Sequence, residues 1–373
     1  MSSVLTGLPR RVVPALPGRD YHDPGVFELE RERIFHRKWF CVGRAGQAPE
    51  PGDFFVVEVV DESVLVVRGD DLVLRAFYNV CRHRGSQLCE GTGRVKSVIQ
   101  CPYHAWCYAL DGRLVATPNV GRSEGLDRRS YGLHPVALQA WEGFVFVSLG
   151  TEPGSLLAAL ADEIDEPLSY GRYRMAELTV GHRIVYDVAA NWKILIDNFN
   201  ECLHCPGVHP ELTRIVPLYR KGMVIEERDD GGTGVHLADG ARTFSLDGTS
   251  GLPTFPGLSG EDIGTYYGFT AFPNLLANLL SDTVMTYLLL PTAPDRTRVV
   301  SEYLFRPETV TAAGFDPSPV VSFLDLVSRQ DWAVCERAQR GIRSRAFDQG
   351  VLPWNDRLLH LFAQRYLNER DGQ

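Results

Sequence analysis

The sequence predicts a chain of α+β class in two parts: an all-β module at about 45–150, then an α+β domain at 151–373. Two observations carry this. Short β-rich runs bounded by turn residues crowd the first part, whereas helical patterns enclosing a few strands, with a long helix last, fill the second. Along the chain, residues 20–40 set Phe27, Ile34, Phe35 and Trp39 at roughly helical spacing behind Asp23 and Pro24, which predicts a capped amphipathic helix. After the turn cluster APEPGD, strands are predicted at 54–60, 63–68, 72–80, 95–100 and 143–150. Helices are expected at 155–168, around 187–205 and at about 318–347, with strands at 223–228, 266–272 and 283–305. The Gly-, Ser- and Asp-rich stretch 229–262 reads as a mobile loop or a lid over a pocket.

Composition narrows the function classes. With 44% hydrophobic and 23% charged residues in 373, the chain is an ordinary folded protein. Its net charge of −9, from 38 basic against 47 acidic residues, gives no global attraction to nucleic acid or anionic membrane. The uncharged stretch Gly264 to Ser281 contains Pro273, Asn274 and Asn278, so no transmembrane helix is expected. The N-terminus lacks the apolar run of a secretory signal, and a cytoplasmic location is expected. Eight cysteines are too sparse for a disulfide framework. Cys41, Cys89, Cys107, Cys202, Cys205 and Cys335 have no matching partners and read as buried thiols.

Spacing singles out the other two cysteines. Cys81-x-His83, then seventeen residues, then Cys101-x-x-His104 place one thiolate and one imidazole on each of two loops where strands end. That set suits a [2Fe-2S] cluster in which two cysteines hold one iron and two histidines the other. Neutral imidazoles raise the cluster's potential and make it a one-electron relay. Tetrahedral zinc is the rival, but zinc fingers usually keep their two cysteines on one knuckle and their two histidines on another.

A second constellation lies at 191–210, NWKILIDNFNECLHCPGVHP. Asp197, Glu201 and His204 fall at helical spacing on one face. Pro206 and Gly207 end the helix near His204 and fold His209 back beside it. Two histidines and one carboxylate form the facial triad of non-haem iron oxygenases, which leaves metal positions open. Asp331 is the third-ligand candidate, with Asp325 and Glu336 on the same predicted helix as competitors.

Both motifs, in this order, resemble those of the Rieske non-haem iron oxygenases, the catalytic subunits of ring-hydroxylating oxygenase systems, over nearly the whole chain. The resemblance implies an N-terminal Rieske domain and a C-terminal helix-grip (START-like) domain, with 1–44 as a helical segment packing on the catalytic domain. It favours Asp331 and implies Cys81, His83, Cys101 and His104 as [2Fe-2S] ligands and His204, His209 and Asp331 as Fe(II) ligands. Glu201 matches the family's bridging acid between an iron-ligand histidine and a cluster histidine of the neighbouring subunit, with Asp197 and Asn198 as further catalytic candidates. A homotrimer follows. Dioxygen is the implied co-substrate, and NAD(P)H acts only through a separate flavin/iron-sulfur reductase, because the sequence has neither a GxGxxG fingerprint nor a further four-cysteine spacing. Two positions depart from the commonest pattern. Arg82 stands where some members have Pro, and Ala105 where Gly is usual, so the loop must avoid positive φ there or accept strain.

NECLHCPGVHP and the stretch 271–305 are similar to the branch acting on quaternary ammonium compounds such as glycine betaine, carnitine, choline and stachydrine. Aromatic faces hold such cations, and Tyr266, Tyr267, Phe269, Phe272, Tyr287 and Trp332 are the cage candidates. Hydroxylation or cis-dihydroxylation of an aromatic substrate is the alternative. A Rieske electron carrier without oxygenase activity is a second.

Overall fold

A computed structural model describes residues 11–118, 120–121, 125–161, 164, 169–223 and 234–372. The chain divides into two compact units, one from Met1–Ile34 and Leu157–Gln373, the other Phe35–Leu156.

The Phe35–Leu156 unit is all β. Its main sheet is antiparallel, in the order Phe40–Arg44, Phe144–Ser148, Pro135–Trp141, Leu74–Tyr78, Glu62–Arg68, Asp53–Val59 and Thr92–Arg94. A smaller sheet joins Val98–Gln100, Cys107–Ala109 and Leu114–Ala116. The predicted strands fall within this arrangement because Val, Ile and Phe fill a pleated, buried surface. Leu65, Val67, Phe77, Ile99, Trp106 and Tyr108 form a core that also takes in Cys81 and Cys101. Asn79 anchors the first ligand loop. Its amide donates to Ser63 Oγ at 3.1 Å and to the Cys89 carbonyl at 2.8 Å, while its oxygen accepts from Leu88 N and Cys89 N.

The other unit wraps helices with an antiparallel sheet, in the order Thr179–Val188, Arg296–Phe305, Val284–Ala293, Leu275–Leu279, Thr265–Ala271 and Val235–His236. The helix Trp192–Phe199 packs on the long helix Ser318–Ile342 and touches Val284–Ala293. Near the N-terminus, Asp23 caps Pro24–Glu30 by accepting from Gly25 N at 2.7 Å and Val26 N at 3.3 Å, as the sequence predicts. Helical turns run on only through Phe35, and Trp39 is followed by strand rather than helix. Glu30 and Lys193 form a wholly buried ion pair, Nζ to Oε1 2.5 Å. Trp192 Nε1 and the Tyr366 hydroxyl complete the Glu30 carboxylate at 2.9 and 2.8 Å.

Several boundaries differ from expectation. The stretch predicted as helix from 187 begins as the end of a strand, and Asn191 caps the helix instead, accepting from Lys193 N at 2.9 Å. The 283–305 run is a hairpin rather than one strand, turning at Pro294 and Asp295, and the last predicted helix stops at Ile342. A further helix, Arg357–Asp371, follows it. The strand expected at 223–228 lies outside the described residues apart from Met223, as do the start of the 229–262 stretch and most of 162–168. Among the described residues, no helix is long and apolar enough to cross a membrane.

Candidate metal centres

In the β unit the four predicted cluster residues lie on two loops, one after Leu74–Tyr78 and one between Val98–Gln100 and Cys107–Ala109. The His83 and His104 rings meet edge to face at 4.6 Å, and Trp106 stacks flat on His83 at 4.8 Å. Nδ1 of His83 and Nδ1 of His104 are both buried and have no hydrogen-bond partner among the described residues. Two such atoms in one place are costly unless something binds them, and histidine ligation of an iron-sulfur cluster does so. The donor set therefore fits the group. Partial desolvation, then His83 and Arg84, hold His104 below its usual range, which favours the neutral imidazole that a metal requires. Burial opposes ionisation of Cys101, but the backbone N–H groups of Tyr103 and His104 outweigh it and lower the thiol. Cys81 Sγ lies 3.2 Å from the Tyr108 hydroxyl, which also accepts from Arg82 N. Ala105 takes φ +55°, so the loop accepts the strain that glycine would avoid.

In the other unit His204, His209 and Asp331 converge. His204 Nε2 is 3.2 Å from His209 Nε2, and Asp331 Oδ1 is 2.8 Å from His209 Nε2 and 3.2 Å from His204 Nε2. The outer ring nitrogens are both occupied: His204 Nδ1 pairs with Glu201 Oε1 at 2.5 Å, and His209 Nδ1 with Gln330 Oε1 at 2.7 Å. Each partner fixes a tautomer and leaves Nε2 free for a metal. Burial disfavours imidazolium at His204, yet Asp331 and Glu201 outweigh it and push the group up to about 9. The same histidines hold the Asp331 carboxylate below its usual range against burial. Two carboxylates around two imidazoles thus form a place for positive charge.

The competitors are engaged elsewhere. Asp325 accepts from Tyr186 and Arg329, and Glu336 from Ala189 N. The shared helix face expected for Asp197, Glu201 and His204 does not form. The helix ends at Phe199, with Asn200 as its cap, and Glu201 and His204 lie in the segment beyond it, where Glu201 Oε2 also accepts from Leu203 N. Asn198 Nδ2 stands 3.4 Å from His204 Nε2, and Asp197 accepts from the Tyr21 hydroxyl at 2.8 Å. Cys202 and Cys205 are joined in a disulfide rather than standing as separate thiols; a three-residue separation across a turn brings the sulfurs together.

A cavity opens beside the triad. Its aromatic lining is Phe199, Tyr219, Phe244, Tyr266, Tyr287 and Trp332, and no lysine or arginine lines it among the described residues. Three of the expected cage residues are present and three are not. Tyr267 and Phe269 lie on the opposite face of their strand from Tyr266, because side chains alternate. Tyr267 instead donates to Asp262 at 3.0 Å, Phe269 packs on Tyr170, and Phe272 packs on Trp192 and Phe362. Sequence reasoning missed Phe199, Tyr219 and Phe244. Phe199 alone carried a signal, as the last residue of the helix leading into the ligand segment.

Residues 38–137 match the Rieske [2Fe-2S] domain, and residues 175–369 the catalytic domain of the ring-hydroxylating α subunit. The chain is 33% identical to the glycine betaine monooxygenase oxygenase subunit of Chromohalobacter salexigens, over 90% of this chain and 81% of that protein. It is 30% identical to the carnitine monooxygenase oxygenase subunit of Acinetobacter pittii, over 88% and 85% of the two chains. Among solved structures it superposes on a quaternary ammonium Rieske monooxygenase with a TM-score of 0.79 and 26% identity, covering 96% of this chain and 98% of that one. Naphthalene 1,2-dioxygenase from Rhodococcus sp. shares the fold, with a TM-score of 0.72 at 21% identity, over 95% of each chain.

Proposed function

The chain belongs to the Rieske ring-hydroxylating oxygenase family as a catalytic α subunit, and from that premise we propose that it oxidises an N-methyl group of a small quaternary ammonium compound such as glycine betaine. The observation that carries the substrate class is the cavity beside His204, His209 and Asp331, lined by six Phe, Tyr and Trp side chains and, among the described residues, by no lysine or arginine. A quaternary cation donates no hydrogen bond, so ring faces are its natural partners, and a lining cation would repel it. The relatives named for glycine betaine and carnitine support the same class.

Cys81, His83, Cys101 and His104 would hold the [2Fe-2S] cluster, and His204, His209 and Asp331 the mononuclear iron. When bound, these groups supply one-electron transfer and a ferrous centre at which dioxygen is reduced and a C–H bond hydroxylated. Glu201 and Gln330 orient the two imidazoles by accepting from their Nδ1–H groups. The aromatic wall sets the methyl towards the triad and excludes water. Oxygen, two electrons and two protons convert N–CH3 to N–CH2OH and water, and the carbinolamine then releases formaldehyde, a tertiary amine and a proton.

Both curated relatives are named as oxygenase subunits, which supports delivery of NAD(P)H electrons by a separate flavin/iron-sulfur reductase. The reading includes a homotrimer in which Glu201 bridges His204 to a cluster histidine of the neighbouring subunit. The test is formaldehyde release and oxygen uptake by holoprotein with a partner reductase and NADH. Stoichiometric formaldehyde from glycine betaine, carnitine or choline is expected. Turnover of an aromatic hydrocarbon with no response to any quaternary amine contradicts the proposal.

A further inference from the structure

The cavity's hydrogen-bonding groups are almost all spoken for. The Tyr287 hydroxyl sits 2.6 Å from Ser328 Oγ, and the Tyr266 hydroxyl donates to Asn278 Oδ1 at 2.9 Å. Tyr219 pairs with Tyr266, and Asn278 Nδ2 turns to Met285 Sδ at 3.3 Å. Trp332 differs. It lines the cavity directly after Asp331, is only 8% exposed, and its Nε1–H is buried with no partner among the described residues. A buried donor left unmade is costly, and a ligand acceptor recovers that cost.

Resting on the quaternary ammonium reading, we infer that Trp332 Nε1–H is the donor that anchors a substrate oxygen, the carboxylate of a betaine above all, and so selects zwitterions over simple tetraalkylammonium ions. A zwitterion brings a carboxylate into a cavity that, among the described residues, no lysine or arginine lines, and an anion there needs a donor. A neutral N–H meets that need without repelling the ammonium end. Tyr186 and Tyr287 hold the indole edge to face at 5.9 and 5.5 Å, so the ring is fixed before substrate arrives.

Trp332→Phe keeps the aromatic face and deletes the donor. Calorimetric titration of the iron-loaded protein with glycine betaine, its methyl ester and tetramethylammonium separates the two effects. A hydrogen bond to a charged acceptor predicts a loss of about 10- to 100-fold in betaine affinity, with tetramethylammonium changed less than about twofold and the acid-to-ester preference abolished. Trp332→Tyr, whose donor is displaced, serves the same comparison if the Phe variant does not accumulate. Equal losses for all three ligands, or an undiminished betaine affinity, overturn the inference. A wild-type protein that binds neither betaine nor tetramethylammonium overturns the substrate class beneath it.

Discussion

The two histidine pairs of this chain are held in opposite ways. In the β unit, His83 and His104 are fixed by rings, Trp106 stacked on one face and each imidazole against the other, and their Nδ1 atoms have no hydrogen-bond partner among the described residues. In the helix-containing unit, His204 and His209 are held by polar partners, Glu201 and Gln330 behind and Asp331 in front. One environment lowers an imidazole and the other raises one. The difference teaches what each metal group needs. A cluster that only passes electrons needs its imidazole ligands neutral in a rigid apolar socket, whereas an iron that must leave positions open needs its few ligands oriented from outside and a carboxylate to balance charge.

The largest expected effect comes from removing the carboxylate that distinguishes the second site. Asp331→Ala is expected to lose the mononuclear iron and drop oxygenation to background, while visible absorption of the cluster is unchanged. Iron analysis beside the absorption spectrum checks this, and bleaching of both groups together would break the comparison.

Next is the buried charge of the helix-containing unit. Lys193→Met strands Glu30 and should cost about 3–5 kcal/mol in stability, read by denaturant unfolding. Pairing it with Glu30→Gln should recover a large part of that loss.

Burial raises Asp197, against the Tyr21 hydrogen bond and Lys193, so that it keeps its proton up to about 7. The unfolded chain releases that proton near 3.9. The folded state therefore binds the extra proton between these values, and the stability it contributes is full below about pH 4 and fades as pH rises towards 7. Asp197→Asn keeps an acceptor for Tyr21 and should add up to about 4 kcal/mol at pH 8, from the gap between about 3.9 and about 7 at roughly 1.4 kcal/mol per pH unit, and nothing at pH 4, read as a rise in Tm.

The smallest effect sharpens the cluster side. Tyr108→Phe removes a hydroxyl 3.2 Å from Cys81 Sγ. A net hydrogen bond of about 0.5–1.5 kcal/mol corresponds to a fall of roughly 20–65 mV in a one-electron potential, measurable by redox titration.

The two candidate ligand sets were legible in the sequence because metal chemistry demands particular residue types at short spacings. Cys81 to His83 and Cys101 to His104 can be read without knowing the fold. The strands of the β unit were legible for a related reason, since runs such as FFVVEVV satisfy a pleated surface by themselves. Glu201 was found by its type and spacing, but the helix face assigned to it was wrong, because Asn200 ends the helix first. The cavity was half legible. Tyr266 and Tyr267 differ only in which face of a strand they occupy, and a strand covered on both sides offers no alternation to read. Phe199, Tyr219 and Phe244 come from separate elements that only tertiary packing brings together. The Lys193 and Glu30 pair, 163 positions apart, left no local signal.

An open ferrous site next to a cavity for a quaternary cation is what joins the two halves of the proposed chemistry. The most direct test is electron paramagnetic resonance of the reduced, anaerobic holoprotein with nitric oxide, with and without glycine betaine. A high-spin ferrous nitrosyl signal that betaine perturbs and that Asp331→Ala lacks is expected. An iron-replete protein that gives no such signal, or a signal of full intensity in Asp331→Ala, would contradict it.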